Sequence, residues 1–357
     1  MNKTEPKATE SIGMPRVSVV LPVRNEAHYI TRSLTAVMSQ DYPLDLMEVI
    51  VADGMSTDGT REIIGSFQAR YPNLLMIDNL GKIAPTGLNA AIARANGEVF
   101  IRVDGHCEID GDYVRRCVER LRDDGVDGVG GPVETVGETF LARVIAVAMS
   151  SPFGVGNSSF RTVKNRTMLA DTIPFPAYNR SIMERVGFFD EELVRNQDDD
   201  YNYRLRKIGA KILLAADVRS RYYSRSSIRS LWRQYFQYGY WKVRVMQKVM
   251  WQMRLRQLVP ALFLAVLLLS LLMAPLSIMG IVVFALTLGS YALANIVASV
   301  LTARKRAWRM LLALPLCFAT LHFAFGFGFL VGLVRFWNRW GDRESRWKSQ
   351  TAAQAKI

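Results

Sequence analysis

The chain has 357 residues, of which 50% are hydrophobic and 22% charged, and its formal net charge is +13. That length allows one or two domains with a substantial core. The basic residues concentrate at 219–256, 304–309 and 335–348, beside apolar runs, so the charge indicates proximity to a membrane and argues against nucleic-acid binding.

The composition changes along the chain. Residues 1–257 mix charged and apolar residues as soluble domains do, whereas 258–334 are overwhelmingly apolar. The first fourteen residues are polar and carry no secretory signal, so the soluble part is expected to stay in the cytosol. Three cysteines without a disulfide framework suit that reducing compartment. Runs long enough to cross a membrane are predicted at about 258–274, 278–302 and 310–334.

The first part of the chain alternates strand-like and helix-like segments. Strands are predicted at 17–22, 49–53, 74–77 and 99–103, and helices at 26–39, 60–71 and 85–96. Apolar strands separated by helices indicate an α/β fold with a mostly parallel sheet covered by helices on both faces. The predicted division is a polar tail at 1–15, an α/β domain at 16–225, amphipathic interfacial helices at 226–257, a membrane region at 258–334 and a basic tail at 335–357.

Polar residues follow the first predicted strand. Pro22 ends that strand, and Arg24, Asn25 and Glu26 come next. Because ligands of open parallel sheets bind at the carboxyl ends of strands, these side chains are candidates for ligand contact. Glu26 is equally compatible with the first turn of a helix, where the macrodipole favours a carboxylate.

The next two strand ends carry further candidates. Asp53 ends the second strand, where its carboxylate can accept hydrogen bonds from a base or a ribose, while Asp58 and Thr60 are residues that cap the following helix. Lys82 precedes a helix and can reach a phosphate, although the spacing is not that of a P-loop and a solvated lysine is the alternative.

Asp104 and His106 follow the fourth strand, one residue apart. A carboxylate and an imidazole at this edge can share one divalent metal. Mg²⁺ and Mn²⁺ prefer oxygen ligands, and an imidazole shifts the preference toward Mn²⁺. An ordinary turn is the alternative.

The densest acidic cluster is Asp198-Asp199-Asp200. Adjacent carboxylates repel one another, so some of their pKa values should be raised, and a raised carboxylate pKa suits a general base. A solvated, acidic helix start explains the same pattern.

Together these motifs resemble the family 2 glycosyltransferases over about residues 16–240. Val-Ser-Val-Val-Leu-Pro-Val-Arg-Asn-Glu resembles that family's opening strand and turn, and Val-Ile-Val-Ala-Asp-Gly-Met-Ser-Thr-Asp-Gly-Thr resembles its second motif. The resemblance implies the GT-A fold, a nucleotide-sugar site at the strand ends, and contact between Asp53 and uracil. Asp104-Gly105-His106 stands where the family carries its Asp-x-Asp metal motif, and polypeptide N-acetylgalactosaminyltransferases also use Asp-x-His there.

The acidic cluster resembles the family's Glu-Asp-x-Asp-Leu-x-x-Arg element. In that register Asp198 is the catalytic base, and Asp199 is a competing candidate because Gln197 replaces the usual glutamate. The resemblance implies an inverting transfer from a UDP-sugar, with Mn²⁺ or Mg²⁺ on Asp104 and His106 stabilising the departing diphosphate.

Within the family, the segments 191–199 and 233–239 resemble membrane-anchored succinoglycan-biosynthesis glucosyltransferases of the ExoA type, which extend a lipid-pyrophosphate-linked sugar. The expected acceptor is therefore a polyprenyl-pyrophosphate-linked saccharide and the expected setting the bacterial inner membrane, with the catalytic domain cytoplasmic. Basic and amide side chains beside the aromatic-rich segment 226–256 are candidates for the lipid pyrophosphate or for anchoring to lipid headgroups: Arg219, Arg221, Arg225, Arg233, Gln234 and Gln237.

Three alternatives stay open. The Gln-x-x-Arg-Trp element of processive synthases is missing from 232–242, so addition of one sugar per encounter is expected. The rival functions are a polyprenyl-phosphate sugar transferase and a non-catalytic membrane protein with a nucleotide-binding fold.

The membrane topology is also open. Three crossings would place the basic tail outside, against the positive-inside tendency. Pro315 and the Phe-Gly-Phe-Gly segment at 325–328 suggest that residues 310–334 form a re-entrant hairpin instead.

Overall fold

The computed structural model describes residues 13–156, 158–163, 165–249 and 255–341. Most of the polar tail predicted at 1–15 and of the basic tail predicted at 335–357 lies outside the described residues.

Eleven strands are present in the described residues: β1 Val17–Val23, β2 Met47–Asp53, β3 Leu74–Asp78, β4 Val99–Arg102, β5 Cys107–Ile109, β6 Gly128–Gly130, β7 Val133–Val136, β8 Met168–Leu169, β9 Ala177–Asn179, β10 Ile212–Leu214 and β11 Ser220–Tyr223. The helices are α1 Ile30–Met38, α2 Thr60–Arg70, α3 Ala84–Arg94, α4 Tyr113–Asp123, α5 Phe140–Met149, α6 Pro152–Val155, α7 Ser159–Thr162, α8 Arg180–Val186, α9 Gln197–Lys207, α10 Ile228–Lys248, α11 Leu255–Met273, α12 Ile278–Arg306 and α13 Leu314–Arg335.

The central sheet has eight strands in the order β3-β2-β1-β4-β9-β6-β10-β8. The first four are mutually parallel, β10 runs parallel to β6, and β9 is antiparallel to both of its neighbours. Alternate residues of β1 enter different apolar clusters: Val19 belongs to one and Val20 to the other. Helices therefore cover both faces of the sheet, and the predicted mostly parallel α/β fold is confirmed.

The register brings the functional strand ends into line, because Val23 lies opposite Asp53 and Asp53 opposite Asp78. The helix predicted from residue 26 begins only at Ile30. The amides of Glu26 and Ala27 instead donate to the side chains of Thr60, the first residue of α2, and of Asp58 just before it, so Glu26 and Ala27 belong to a turn.

The C-terminal part consists of long helices. A capping box of Ser227 and Ser230 opens α10, which packs along α13. Three helices, α11, α12 and α13, are long and apolar enough to cross a membrane, and they coincide with the three predicted runs. The suggested hairpin at 310–334 is wrong, because α13 continues through Pro315, at its N-terminal end, and through the Phe-Gly-Phe-Gly segment. Pro is tolerated in the first turn of a helix.

Candidate active site

The loops after β1 and β2 are tied to each other. The Asn25 amide donates to Ser56 Oγ at 2.8 Å, and the Thr57 amide donates to Asn25 Oδ1 at 2.9 Å. Asp58 accepts from the amides of Ala27 and Thr60, each at 3.1 Å. Asp58 therefore belongs to the turn that joins the two loops just before α2, while the N-cap residue of that helix is Gly59 and makes no side-chain cap hydrogen bond.

Asp53 lies at the floor of these loops with its side chain fully buried. Its Oδ2 accepts from the Ser56 amide at 3.0 Å and from Arg61 Nη1 at 2.7 Å, while Arg61 Nη2 pairs with Asp78 at 2.8 Å. Asp53 Oδ1 has no partner among the described residues. Buried acceptors are normally satisfied, so this oxygen is suited to an N–H or O–H of a ligand.

The remaining strand-end candidates form the rim. Arg24 Nη1 donates to the Lys82 carbonyl at 3.4 Å, and the stem of Arg24 packs over Gly54. Asn25 and Lys82 both have left-handed backbones, with φ of 53° and 60°. Pro22 is half-buried in β1, beside Gly87 of α3. These residues therefore border the same sheet edge as Asp53.

His106 is held by a carboxylate from the β1 loop. Its Nδ1 lies 2.9 Å from Glu26 Oε1, and the edge of its ring meets Tyr222. An imidazole that ligates a metal commonly bonds a carboxylate through its other nitrogen, so this contact is compatible with a metal-ligand role for Nε2. Glu26 thus acts as a support for His106 rather than as a solvated helix residue.

Asp104 is the second candidate ligand. Burial would raise the pKa of Asp104, but the charges of Arg102 and His106 outweigh burial and lower it, so the carboxylate is ionised. No cluster of three or more His, Cys, Asp or Glu side chains within the described residues is placed to hold a metal. A carboxylate oxygen and a supported imidazole fit Mn²⁺ or Mg²⁺ provided that ligand and water oxygens complete the shell.

Arg102 links the two halves of the site. It is 9% exposed, its Nε donates to Asp104 Oδ1 at 3.0 Å, and its Nη1 bonds Asp198 Oδ1. Arg102 was not among the residues predicted from the sequence, because an arginine within the apolar strand β4 belongs to no motif. Its position at the strand end, two residues before Asp104, was the available signal.

Asp198 and Asp199 have different surroundings. Burial raises the pKa of Asp198, nearby carboxylates add to the rise, and Arg102 only partly opposes it. The Asp198 side chain nevertheless opens onto the cavity, with 38% of its surface accessible. Asp199 Oδ2 instead accepts from Lys242 Nζ of α10 at 2.7 Å. Both carboxylates thus line the cavity and each is paired with a cation, and Asp198 combines that position with a raised pKa.

One cavity of about 1410 Å³ extends from these carboxylates to the C-terminal helices. Its lining includes Asp104, His106 and Asp198 as well as Phe263, Tyr291 and other residues of α11, α12 and α13. Cationic side chains also line it: Arg161, Arg195, Arg225, Arg229, Arg233, Lys242 and Arg256.

The predicted acceptor residues separate into two groups. Arg225, Arg233, Gln234 and Gln237 line the cavity. Gln234 also donates to Tyr222 and Tyr238, and its Oε1 has no partner among the described residues.

Arg219 and Arg221 are a correction to that prediction, because neither lines the cavity. Arg219 donates to the Ala216 carbonyl at 3.4 Å, and Arg221 lies 3.5 Å from Glu108 and 3.7 Å from Glu134. Both are exposed side chains, one just before strand β11 and one within it.

Comparison with known proteins agrees with this geometry. Residues 18–187 match the family model described as Glycosyl transferase family 2. A Methanococcus voltae protein, dolichyl N-acetyl-alpha-D-glucosaminyl phosphate 3-beta-D-2,3-diacetamido-2,3-dideoxy-beta-D-glucuronosyltransferase, is 28% identical over 331 residues, covering 89% of this chain and 97% of the relative. The succinoglycan biosynthesis protein ExoA of Rhizobium meliloti is 32% identical over 244 residues, covering 68% of this chain and 73% of the relative.

Solved structures support the same fold. The mannosyltransferase PcManGT from Pyrobaculum calidifontis, solved in complex with GDP-Man and Mn²⁺, aligns with a TM-score of 0.55 and 21% identity over 87% of this chain and 86% of its own. At that identity the likeness concerns the fold, which is the GT-A architecture expected from the sequence. The sequence relationships and the shared architecture together place this chain in family 2 of the glycosyltransferases.

Proposed function

We propose that this glycosyltransferase transfers a single hexose, glucose, from a UDP-sugar to a polyprenyl-pyrophosphate-linked saccharide in exopolysaccharide biosynthesis, with inversion at the anomeric carbon. The observation that carries this proposal is a single cavity whose lining combines Asp104 and Asp198, several cationic side chains and residues of the apolar helices. An acceptor with a sugar, a pyrophosphate and an isoprenoid chain presents chemical groups that match these three kinds of lining.

The names of the relatives support the acceptor class. The Methanococcus voltae protein is named for a dolichyl-phosphate-linked sugar, and ExoA is named for succinoglycan biosynthesis. Arg225 and Arg233 line the cavity, which supports their assignment to the pyrophosphate, because charge-assisted hydrogen bonds from guanidinium groups are strong. We therefore assign the enzyme to the bacterial inner membrane, with its catalytic domain on the cytoplasmic side.

The donor site is assigned to the edge formed by β1, β2 and β4. Asp53 Oδ1 is the buried acceptor without a partner, and the N–H of a uracil ring supplies the donor that it lacks. Asn25 and Ser56 fix the loops on either side, which keeps this edge pre-organised. Arg24 and Lys82 border it with positive charge, as a diphosphate requires.

Asp198 is assigned as the general base. Its carboxylate takes the proton of the acceptor hydroxyl as that oxygen attacks the anomeric carbon, and the bond from that carbon to the diphosphate oxygen breaks, releasing UDP. Arg102 holds Asp198 beside the donor end, since the same guanidinium also binds Asp104. Lys242 holds Asp199, which we assign a positioning role.

Asp104 and His106 are the residues that would hold Mn²⁺ or Mg²⁺. Such an ion supplies Lewis-acid stabilisation of the leaving diphosphate. Glu26 orients the His106 ring for that role through its 2.9 Å contact.

Kinetics of two matched variants test the assignment of the base. Asp198→Asn should lower kcat by roughly 10²- to 10⁴-fold, the usual contribution of acid–base assistance, and leave UDP affinity nearly unchanged. Asp199→Asn is the control, which should retain a larger share of the turnover. Near-normal turnover in Asp198→Asn, or a greater loss in Asp199→Asn, would place the base elsewhere.

A further inference from the structure

Helix α13 has the length and hydropathy of a membrane-crossing helix, yet both of its ends contact the catalytic domain. It differs from α12 in its environment, because half of its most apolar 18-residue window is buried inside the protein, compared with 6% for α12. A helix that is apolar on all sides must be covered on all sides, and α13 obtains much of that cover from protein.

The N-terminal end of α13 belongs to the core of the catalytic domain. Leu314 and Phe318 are fully buried in the same apolar cluster as Val144 of α5 and Val19 of β1. The Phe318 ring meets the Phe153 ring edge to face at 5.1 Å. This end of α13 therefore lies directly against the catalytic domain.

The C-terminal end contacts the catalytic domain at a second place. Arg339, four residues after α13, pairs with Glu192 at 2.7 Å, and Glu192 belongs to the loop that leads to Asp198. The Phe336 carbonyl accepts from Gln247 of α10 at 2.6 Å. Both ends of the helix are thus fixed to one body of protein.

Between its ends, α13 lies side by side with α10. A Cβ atom added at Gly328 would come within 2.0 Å of the Phe236 carbonyl oxygen, and one added at Gly239 would come within 2.0 Å of the Phe325 oxygen. Such close backbone contact needs glycine on both helices. The α10 helix is itself held to the catalytic domain, through Lys242 to Asp199 and further along through Arg244 to Glu192.

These contacts exclude a crossing by α13. A helix of 22 residues is about 33 Å long, which only just spans a hydrocarbon core of about 30 Å. If α13 crossed the bilayer, one end would be on the far side from the catalytic domain. The observed contacts at Phe318 and Arg339 cannot both form in that arrangement.

We propose that α13 lies in the plane of the membrane, between the catalytic domain and the lipid, and that only the α11–α12 hairpin crosses the bilayer. The surface facing lipid includes the exposed side chains Leu316, Phe327 and Val334 of α13, and the exposed ring of Trp337 is suited to the headgroup region. We infer that a bilayer covers this surface because cationic residues flank the apolar helix at both ends, where they can contact lipid headgroups.

The charge pattern fits two crossings and not three. Arg304, Lys305 and Arg306 end α12, Arg335 ends α13, and Arg339 follows four residues later. With α13 in the membrane plane, all of these residues stay on the side of the catalytic domain. Three crossings would separate them, against the positive-inside tendency.

Cysteine labelling of the full chain in oriented membranes tests the proposal without relying on sugar transfer. Asn338→Cys reports the side on which α13 ends, Gln68→Cys marks the catalytic domain, and Leu276→Cys marks the α11–α12 turn; all three positions are exposed. The native cysteines are buried. A membrane-impermeant maleimide is added to cells whose outer membrane has been permeabilised, which exposes the outer side of the inner membrane. In a separate sample it is added to inverted inner-membrane vesicles, which expose the cytoplasmic side.

The expected result is that Asn338→Cys and Gln68→Cys are labelled in the same preparation and Leu276→Cys in the other. Labelling of Asn338→Cys together with Leu276→Cys would overturn the in-plane position of α13. Labelling of all three in one preparation would overturn the crossing by α11 and α12. Both outcomes are independent of whether any sugar is transferred.

Discussion

Glu192 joins the loop that precedes the proposed base to the C-terminal helices. Its carboxylate contacts Arg244 at 2.7 Å, Lys248 at 2.8 Å and Arg339 at 2.7 Å, and Arg244 is 1% exposed. Burial would raise the pKa of Glu192, but hydrogen bonds from Arg244 and Lys248 outweigh burial and lower it from 4.5 to about 2. Neutralising this residue should therefore loosen the contact between the catalytic domain and the membrane helices.

The magnitude follows from that pKa. Each pH unit between the folded and unfolded pKa corresponds to about 1.4 kcal/mol, so ionised Glu192 contributes about 3 kcal/mol to the free energy of unfolding. Glu192→Gln should lose about that amount at pH 7, which for a domain of this size lowers Tm by roughly 6–12 °C. Because the folded pKa is depressed, the stabilisation is complete above pH 4.5 and disappears as the pH falls toward 2.

Thermal unfolding of the purified protein in detergent, followed at pH 7 and at pH 3.5, measures the effect. Glu191→Gln is the matched control, because that neighbouring carboxylate is exposed and accepts a hydrogen bond from Asn89 Nδ2. The difference in Tm between the wild type and Glu192→Gln should be smaller at pH 3.5 than at pH 7. Equal Tm values for Glu192→Gln and Glu191→Gln at pH 7 would refute the reasoning.

Three further outcomes are expected. Asp53→Ala should weaken UDP binding roughly ten- to hundredfold in calorimetry, because a charged acceptor is lost, whereas Asp78→Ala should change it by less than about twofold; equal effects would remove Asp53 from the base-binding site. Chelation by EDTA should abolish transfer, with Mn²⁺ restoring it more fully than Mg²⁺, and undiminished activity would end the role of Asp104 as a metal ligand. Gly328→Leu should destabilise the α10–α13 contact and lower Tm by several degrees, whereas Gly289→Leu, whose Cβ would meet nothing within 4 Å, should not; similar Tm values would contradict the close packing.

The regular part of the fold could be predicted because its signals are local. Apolar runs bounded by Asp53 and Asp104 mark strand ends, and parallel strands place such ends at one edge. The start of α1 could not be predicted in this way. Its first candidate turn is diverted by Asp58 and Thr60, which lie more than thirty residues away and capture the amides of Ala27 and Glu26.

The site residues that were missed are arginines that act through carboxylates. Arg102 looks like an isolated charge within a strand, and Arg61 like a solvated residue in the first turn of α2. Their roles depend on contacts with Asp198 and Asp78, which sequence spacing does not reveal. For the same reason, hydropathy could identify α13 as apolar, but only its tertiary contacts indicate which neighbours cover it.

The proposed activity is the transfer of one sugar from a UDP-sugar to a saccharide on a lipid pyrophosphate. It can be tested by incubating the full chain with a panel of UDP-sugars and defined polyprenyl-pyrophosphate-linked saccharides and determining the product linkage by NMR. We expect one added glucose in a β-glycosidic bond to the saccharide, with the pyrophosphate intact. A sugar attached through a phosphodiester to the lipid phosphate, or no transfer from any UDP-sugar, would refute the proposed activity.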